Sequence, residues 1–244
     1  MQPQKRFLEE DALKNVFPND IFLKYYKEYR PRITQEIYWL EDLSLPVGVD
    51  FRRTVTPKGE QLIRLRHMPA RLEDTTKIAH ELHHIVIDNA GFPSTGYREQ
   101  KYENVSSSLS SMLHDLLVEE FQLNYGFDII ADYEAETAEN RRQLENNNSS
   151  PSDLFSRCRW IFNYCGSLLT WHLLSEAKIG DHSFHLWFDK HYPDIAVEAR
   201  ELQKIIGDSY KTPIGMYNIF ANIIERYKIG NHIILLANTH KNES

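Results

Sequence analysis

The run His80-Glu81-Leu82-His83-His84 constrains what the chain around it can become. It lies within a helical segment expected from about Leu72 to Asn89, in which Ile78, Leu82, Ile85 and Val86 form one apolar stripe. A stripe of this kind must be buried, so the helix lies on a core. His80, Glu81, His84 and Asp88 fall together off the stripe. Positions i and i+4 share a helical face, because four residues make slightly more than one turn. Two imidazoles at that spacing can hold two corners of a tetrahedral zinc site. Glu81 is turned away from direct ligation but can reach a metal-bound water. It can take that water's proton and later pass it to a leaving amine.

The longer string H-E-L-x-H-x-V-x-D, from His80 to Asp88, resembles the active-site helix of thermolysin-like enzymes in the zincin (HExxH) metallopeptidase superfamily. The resemblance covers this helix and, more loosely, the elements from Val47 to Gly126. It implies His80 and His84 as zinc ligands and Glu81 as general base. The expected activity is hydrolysis of peptide bonds in a peptide or protein substrate, with Zn2+ as cofactor. A metal-binding or protein-interaction module of the same architecture without catalysis is the alternative.

Zinc held by two histidines takes at least one further protein ligand. A second long helix, expected from about Tyr102 to Tyr125, offers His114, Asp115 and Glu119, with Glu120 behind them. Asp115 and Glu119 are one turn apart and share a face. Met112, Leu116 and Leu123 place them near an apolar surface, where an unpaired carboxylate is costly and a metal would remove the cost. Zincins commonly carry E-x-x-x-D on this helix; here the order is D-x-x-x-E. Either Asp115 ligates and Glu119 supports it, or the reverse, with Asp115 placed first. Tyr97, Arg98, Tyr102, His114 and a histidine from the C-terminal helices are candidate donors to the developing oxyanion.

Composition narrows the partners. A formal charge of −7 over 244 residues argues against a nucleic-acid backbone. No apolar run is long enough to span a bilayer, and the first ten residues lack the apolar core of a signal peptide, so a cytoplasmic protein without a membrane partner is expected. Cys158 and Cys165, seven residues apart on one expected helix, are separated by about 10 Å of rise, beyond disulfide reach. They read as buried apolar side chains of a reduced protein.

The pattern along the chain is mostly helical. Residues 5–16 and 19–29 read as short helices, with the Phe22, Tyr25, Tyr26 and Tyr29 stripe as core, and Ile33–Leu43 reads as a third. Val47–Val55 and Gln61–His67 alternate like two strands around Pro57-Lys58-Gly59. Gly91 caps the metal helix, and Gly91–Lys101 reads as a loop. Asn146–Pro151 is a loop before a long apolar helix capped by Ser152 or Asp153 and running toward Ala177. Further helices are expected at 183–191, 194–206 and 213–228, the last started by Thr212-Pro213. The expectation is an α+β, mostly helical protein. A zincin-like core with N-terminal helices occupies residues 1–130, and a helical region occupies residues 131–244.

Overall fold

The computed structural model describes residues 5–45, 51–56, 58–146, 151–176 and 182–237. The protein is α+β and mostly helical. It divides into two compact units, residues 1–89 with 124–127, and residues 90–123 with 128–244.

In the first unit, β1 (Lys5–Phe7), α1 (Glu9–Leu13), α2 (Asp20–Tyr29), β2 (Ile37–Glu41), β3 (Phe51–Val55), β4 (Gln61–Leu65) and α3 (Thr75–Asn89) follow in chain order. The strands form one sheet in the order β1-β2-β4-β3. The expected hairpin is present: β3 and β4 pair antiparallel, with Arg53 opposite Ile63. Val47–Asp50, the start of the expected first strand, lies outside the described residues.

Two expectations are corrected here. Ile37–Glu41 is a strand, paired parallel with β4 and antiparallel with β1, where a helix was expected. The five-residue run Ile-Tyr-Trp-Leu-Glu is too short for its period to separate helix from strand. Its two pairing partners decide, and Trp39 becomes fully buried. Lys5–Phe7 likewise becomes a strand, so the first helix is only Glu9–Leu13. The aromatic stripe of α2 is core as expected. Phe22 and Tyr25 are buried, and the Tyr25 hydroxyl donates to the Ala79 carbonyl of α3 at 3.3 Å.

The second unit contains β5 (Ser94–Tyr97), α4 (Glu103–Tyr125, whose last residues belong to the first unit), α5 (Ile130–Asn146), α6 (Leu154–Glu176), α7 (Ser183–His191), α8 (Pro193–Ile206), α9 (Pro213–Arg226) and β6 (Ile233–Leu236). Asp153 caps α6, its side chain accepting from the backbone of Phe155 and Ser156 at 2.9 Å each. Cys158 and Cys165 of α6 are free and fully buried, and burial pushes the Cys158 thiol up to about 12. Ser94–Tyr97, expected as loop, pairs antiparallel with Ile233–Leu236. No local turn signal announces a partner so distant in sequence. Gly96 suits this ladder because a Cβ there would meet the Ile234 and Leu236 side chains at 3.1 Å. Among the described residues, no helix is long and apolar enough to cross a membrane.

Candidate metal centre

Helix α3 is the scaffold of the site. A short 3-10 turn, Leu72–Asp74, leads into it, and Gly91 ends it with a φ of 83°, a left-handed conformation that glycine adopts without strain. Ile78, Leu82 and Ile85 are buried as the stripe requires, and Ala79, His83 and Ile87 widen the buried face. His83 packs into the core of the first unit, with its ring centroid 6.1 Å from that of Tyr25 and 5.4 Å from that of Tyr29. Burial, followed by the neighbouring His84 and His80, pushes its pKa down to about 3, so it is neutral at physiological pH.

His80 and His84 come together as their spacing demands. Their Nε2 atoms lie 3.0 Å apart, with the rings edge to face at a 4.6 Å centroid separation. Two imidazoles bound to one tetrahedral zinc through bonds of about 2.1 Å have their nitrogens roughly 3.4 Å apart. The pair therefore fits a shared ion with a shift of a few tenths of an ångström. Without an ion, the same separation allows an N–H···N bond when one ring is protonated on Nε2. Metal binding would displace that proton.

Arg53 is a residue that the sequence did not single out. It reaches from β3 to α3, donating to Asp88 at 2.8 Å and lying 4.0 Å from the Glu81 carboxylate. The strand register explains this: Arg53 pairs with buried Ile63, so both lie on the core-facing side of the hairpin. Alternation within Arg52-Arg53 says that one of the two points inward, but only the pairing says which.

The carboxylates of α4 belong to the second unit. Asp115 and Glu119 share a face as expected, and both line one cavity in that unit. Glu119 Oε2 accepts from Thr170 Oγ1 at 2.6 Å, while Glu120 binds Tyr210 and Lys211 at 2.7 Å each. His114 is buried, and its Nε2 donates to the Pro93 carbonyl at 2.8 Å, so it anchors the segment before β5. Of the other expected oxyanion donors, Tyr102 is buried against Phe155 and His232. Tyr97 turns its hydroxyl toward Gln100 and Glu103. The Arg98 backbone donates to the His232 carbonyl.

Among the C-terminal histidines, His182 and His185 are ring neighbours at 5.5 Å. His185 is fully buried, with Nε2 3.1 Å from Ser167 Oγ and 3.5 Å from the Tyr133 hydroxyl. Ser167 lies on α6 and Tyr133 on α5, while His185 is on α7, so no local spacing signals the grouping.

No protein-family model matches the chain, and no curated protein or solved structure matches it either.

Proposed function

We infer that the protein is a zinc-dependent metallopeptidase with a zincin-like core, in which His80, His84 and Asp115 are the ligands and Glu81 is the general base. One observation carries the reading: two Nε2 atoms converge at 3.0 Å on a helical face that also presents Glu81. Two imidazoles and a carboxylate form a donor set of catalytic zinc sites, which keep a further position for water or substrate.

When bound, the metal supplies Lewis acidity to the scissile carbonyl and makes water a nucleophile at neutral pH. Glu81 receives the proton of that water and delivers it to the leaving amine. Arg53 is a positioning residue, holding Asp88 and flanking Glu81 from β3. That strand is at the edge of its sheet, where an extended peptide can add as a further strand. The Arg53–Glu81 pair also favours a second reading, a metal-binding module without hydrolysis, since a carboxylate flanked by arginine can serve structure alone.

The test compares zinc content and hydrolysis of a peptide library for wild type, His80→Ala, His84→Ala and Glu81→Gln. Both histidine variants should lose stoichiometric zinc. Glu81→Gln should keep zinc and melting temperature while its rate falls by ~10² to 10⁴, the usual worth of general-base assistance. Full activity in Glu81→Gln would remove the glutamate from the chemistry. Zinc binding with no hydrolysis by the wild type would leave the binding-module reading.

A further inference from the structure

We propose that the free edge of β3 docks an extended peptide that carries an acidic side chain opposite Arg52. Acidic peptides are then the substrate class of the metal centre; that assignment rests on the peptidase reading, whereas the docking does not. The sheet order leaves β3 paired on one side only among the described residues. Thr56 N–H donates to the Glu60 carbonyl at 2.9 Å, and alternation from that pair turns the backbone groups of Thr54 and Arg52 toward β4. The N–H and C=O groups of Phe51, Arg53 and Val55 therefore point to the open edge. Arg52 is exposed and Val55 is 52% exposed, so solvent reaches that edge.

Charge selects the peptide. Residues 51–66 carry Arg52, Arg53, Lys58, Arg64 and Arg66 against one carboxylate, Glu60. Glu60 is engaged at the turn end of the hairpin, accepting from Thr56 Oγ1 at 2.9 Å and from the Tyr38 hydroxyl at 3.2 Å. Arg53 is taken by Asp88 and Glu81 on the core-facing side. Arg52 lies on the other face, directly across from Arg64, where like charges repel. Among the described residues Arg52 has no hydrogen bond and no ion pair. Arg64 is only partly compensated: Asp42 stands 3.6 Å away, and the Arg64 Nε is buried without a partner. Farther along the same row across the sheet come Leu40 and then Arg6, so the row holds no carboxylate. A glutamate or aspartate arriving beside Arg52 offsets that repulsion.

The ladder geometry places the acid. A strand added antiparallel to β3 bonds to the free groups of Phe51, Arg53 and Val55. The residues opposite Arg52 and Thr54 then form non-hydrogen-bonded pairs, in which facing side chains come closest. The residue paired with Arg53 faces the side on which Arg53 meets Glu81, and its chain neighbours face Arg52 and Thr54. Phe51 and Val55 flank Arg53 on its side and favour apolar partners. The fitting sequence alternates apolar and acidic residues. A nucleic acid has no groups with which to continue the backbone ladder.

Blocked heptapeptides alternating valine with glutamate, glutamine or lysine test the edge. They are titrated calorimetrically into the full, zinc-loaded chain bearing Glu81→Gln, which keeps the peptide intact. The glutamate peptide should bind at least about threefold tighter than the glutamine peptide, with the lysine peptide weakest. Arg52→Glu changes an exposed side chain and relieves the facing Arg64, so it should fold normally and reverse the order. N-methylation of the valines, whose amides would bond to β3, should abolish binding. Equal binding of the three peptides, an order unchanged by Arg52→Glu, undiminished binding of the N-methylated peptide, or tighter binding of a single-stranded oligothymidylate would each overturn the proposal. Cleavage by the wild type separates this inference from the peptidase reading. Glutamate and glutamine peptides cut at equal kcat/KM would overturn the acidic selectivity and keep the peptidase. The expected binding order without any cleavage would keep the docking and remove the peptidase.

Discussion

His185 shows how burial converts a residue's chemistry into a property of the fold. Desolvation, then the nearby His182 and Arg200, pushes its pKa down to about 4, while Asp189 and the Ser167 backbone act weakly the other way. In the unfolded chain the same ring titrates near 6.5. Between those values the unfolded state binds the extra proton, so stability is intact above pH 6.5 and falls as pH drops toward 4. From pH 7.5 to 4.5, this residue should cost the protein about 2–3 kcal/mol. Urea unfolding at the two pH values, for wild type and His185→Gln, checks the assignment. The variant should lose markedly less stability on acidification, and an unchanged slope would place the effect elsewhere.

Helix α9 is the element whose start is most plainly written in sequence. Thr212 caps it, accepting from the Gly215 backbone N–H at 3.1 Å, and Pro213 occupies the first helical position. Losing such a cap costs about 1 kcal/mol, so Thr212→Ala should be mildly destabilising. Gly215→Ala should cost more, about 2–3 kcal/mol, because a Cβ there would collide with the Ser209 carbonyl. Denaturant midpoints of the two variants give the order, and a neutral Gly215→Ala would show that the preceding 3-10 turn, Ser209–Lys211, yields easily. Caps are legible because donor and acceptor are three residues apart. The strands were harder to read: β2 is short and takes its identity from β1 and β4, and β5 from β6.

Zinc bound at the proposed site should register in the stability of the folded protein. A ligand held only by the folded state adds about 4 kcal/mol at a thousandfold excess over its Kd. For a chain of this size that is a rise of roughly 10 °C in melting midpoint, reversed by a chelator. Asp115→Ala should abolish the zinc-dependent rise, and Glu119→Gln should retain it. The opposite result would transfer the ligand to Glu119. A rise in neither wild type nor variant would mean that no site forms.

The α+β, mostly helical character, the extents of α3 and α4, and the shared face of His80 and His84 were all readable from residues within a turn or a helix of one another. Helical periodicity and capping are local, so the chain states them directly. Pairing and burial across long separations decided the rest. Trp39 lies in a strand because β1 and β4 flank it, and Ser94–Tyr97 lies in one because Ile233–Leu236 reaches it. Arg53 meets Asp88 across 35 positions because the hairpin register turns it inward. The cavity lined by Asp115 and Glu119 combines side chains from four helices that share no spacing rule. Such groupings depend on where elements pack, and packing energy is collective, so no short stretch of sequence can encode them.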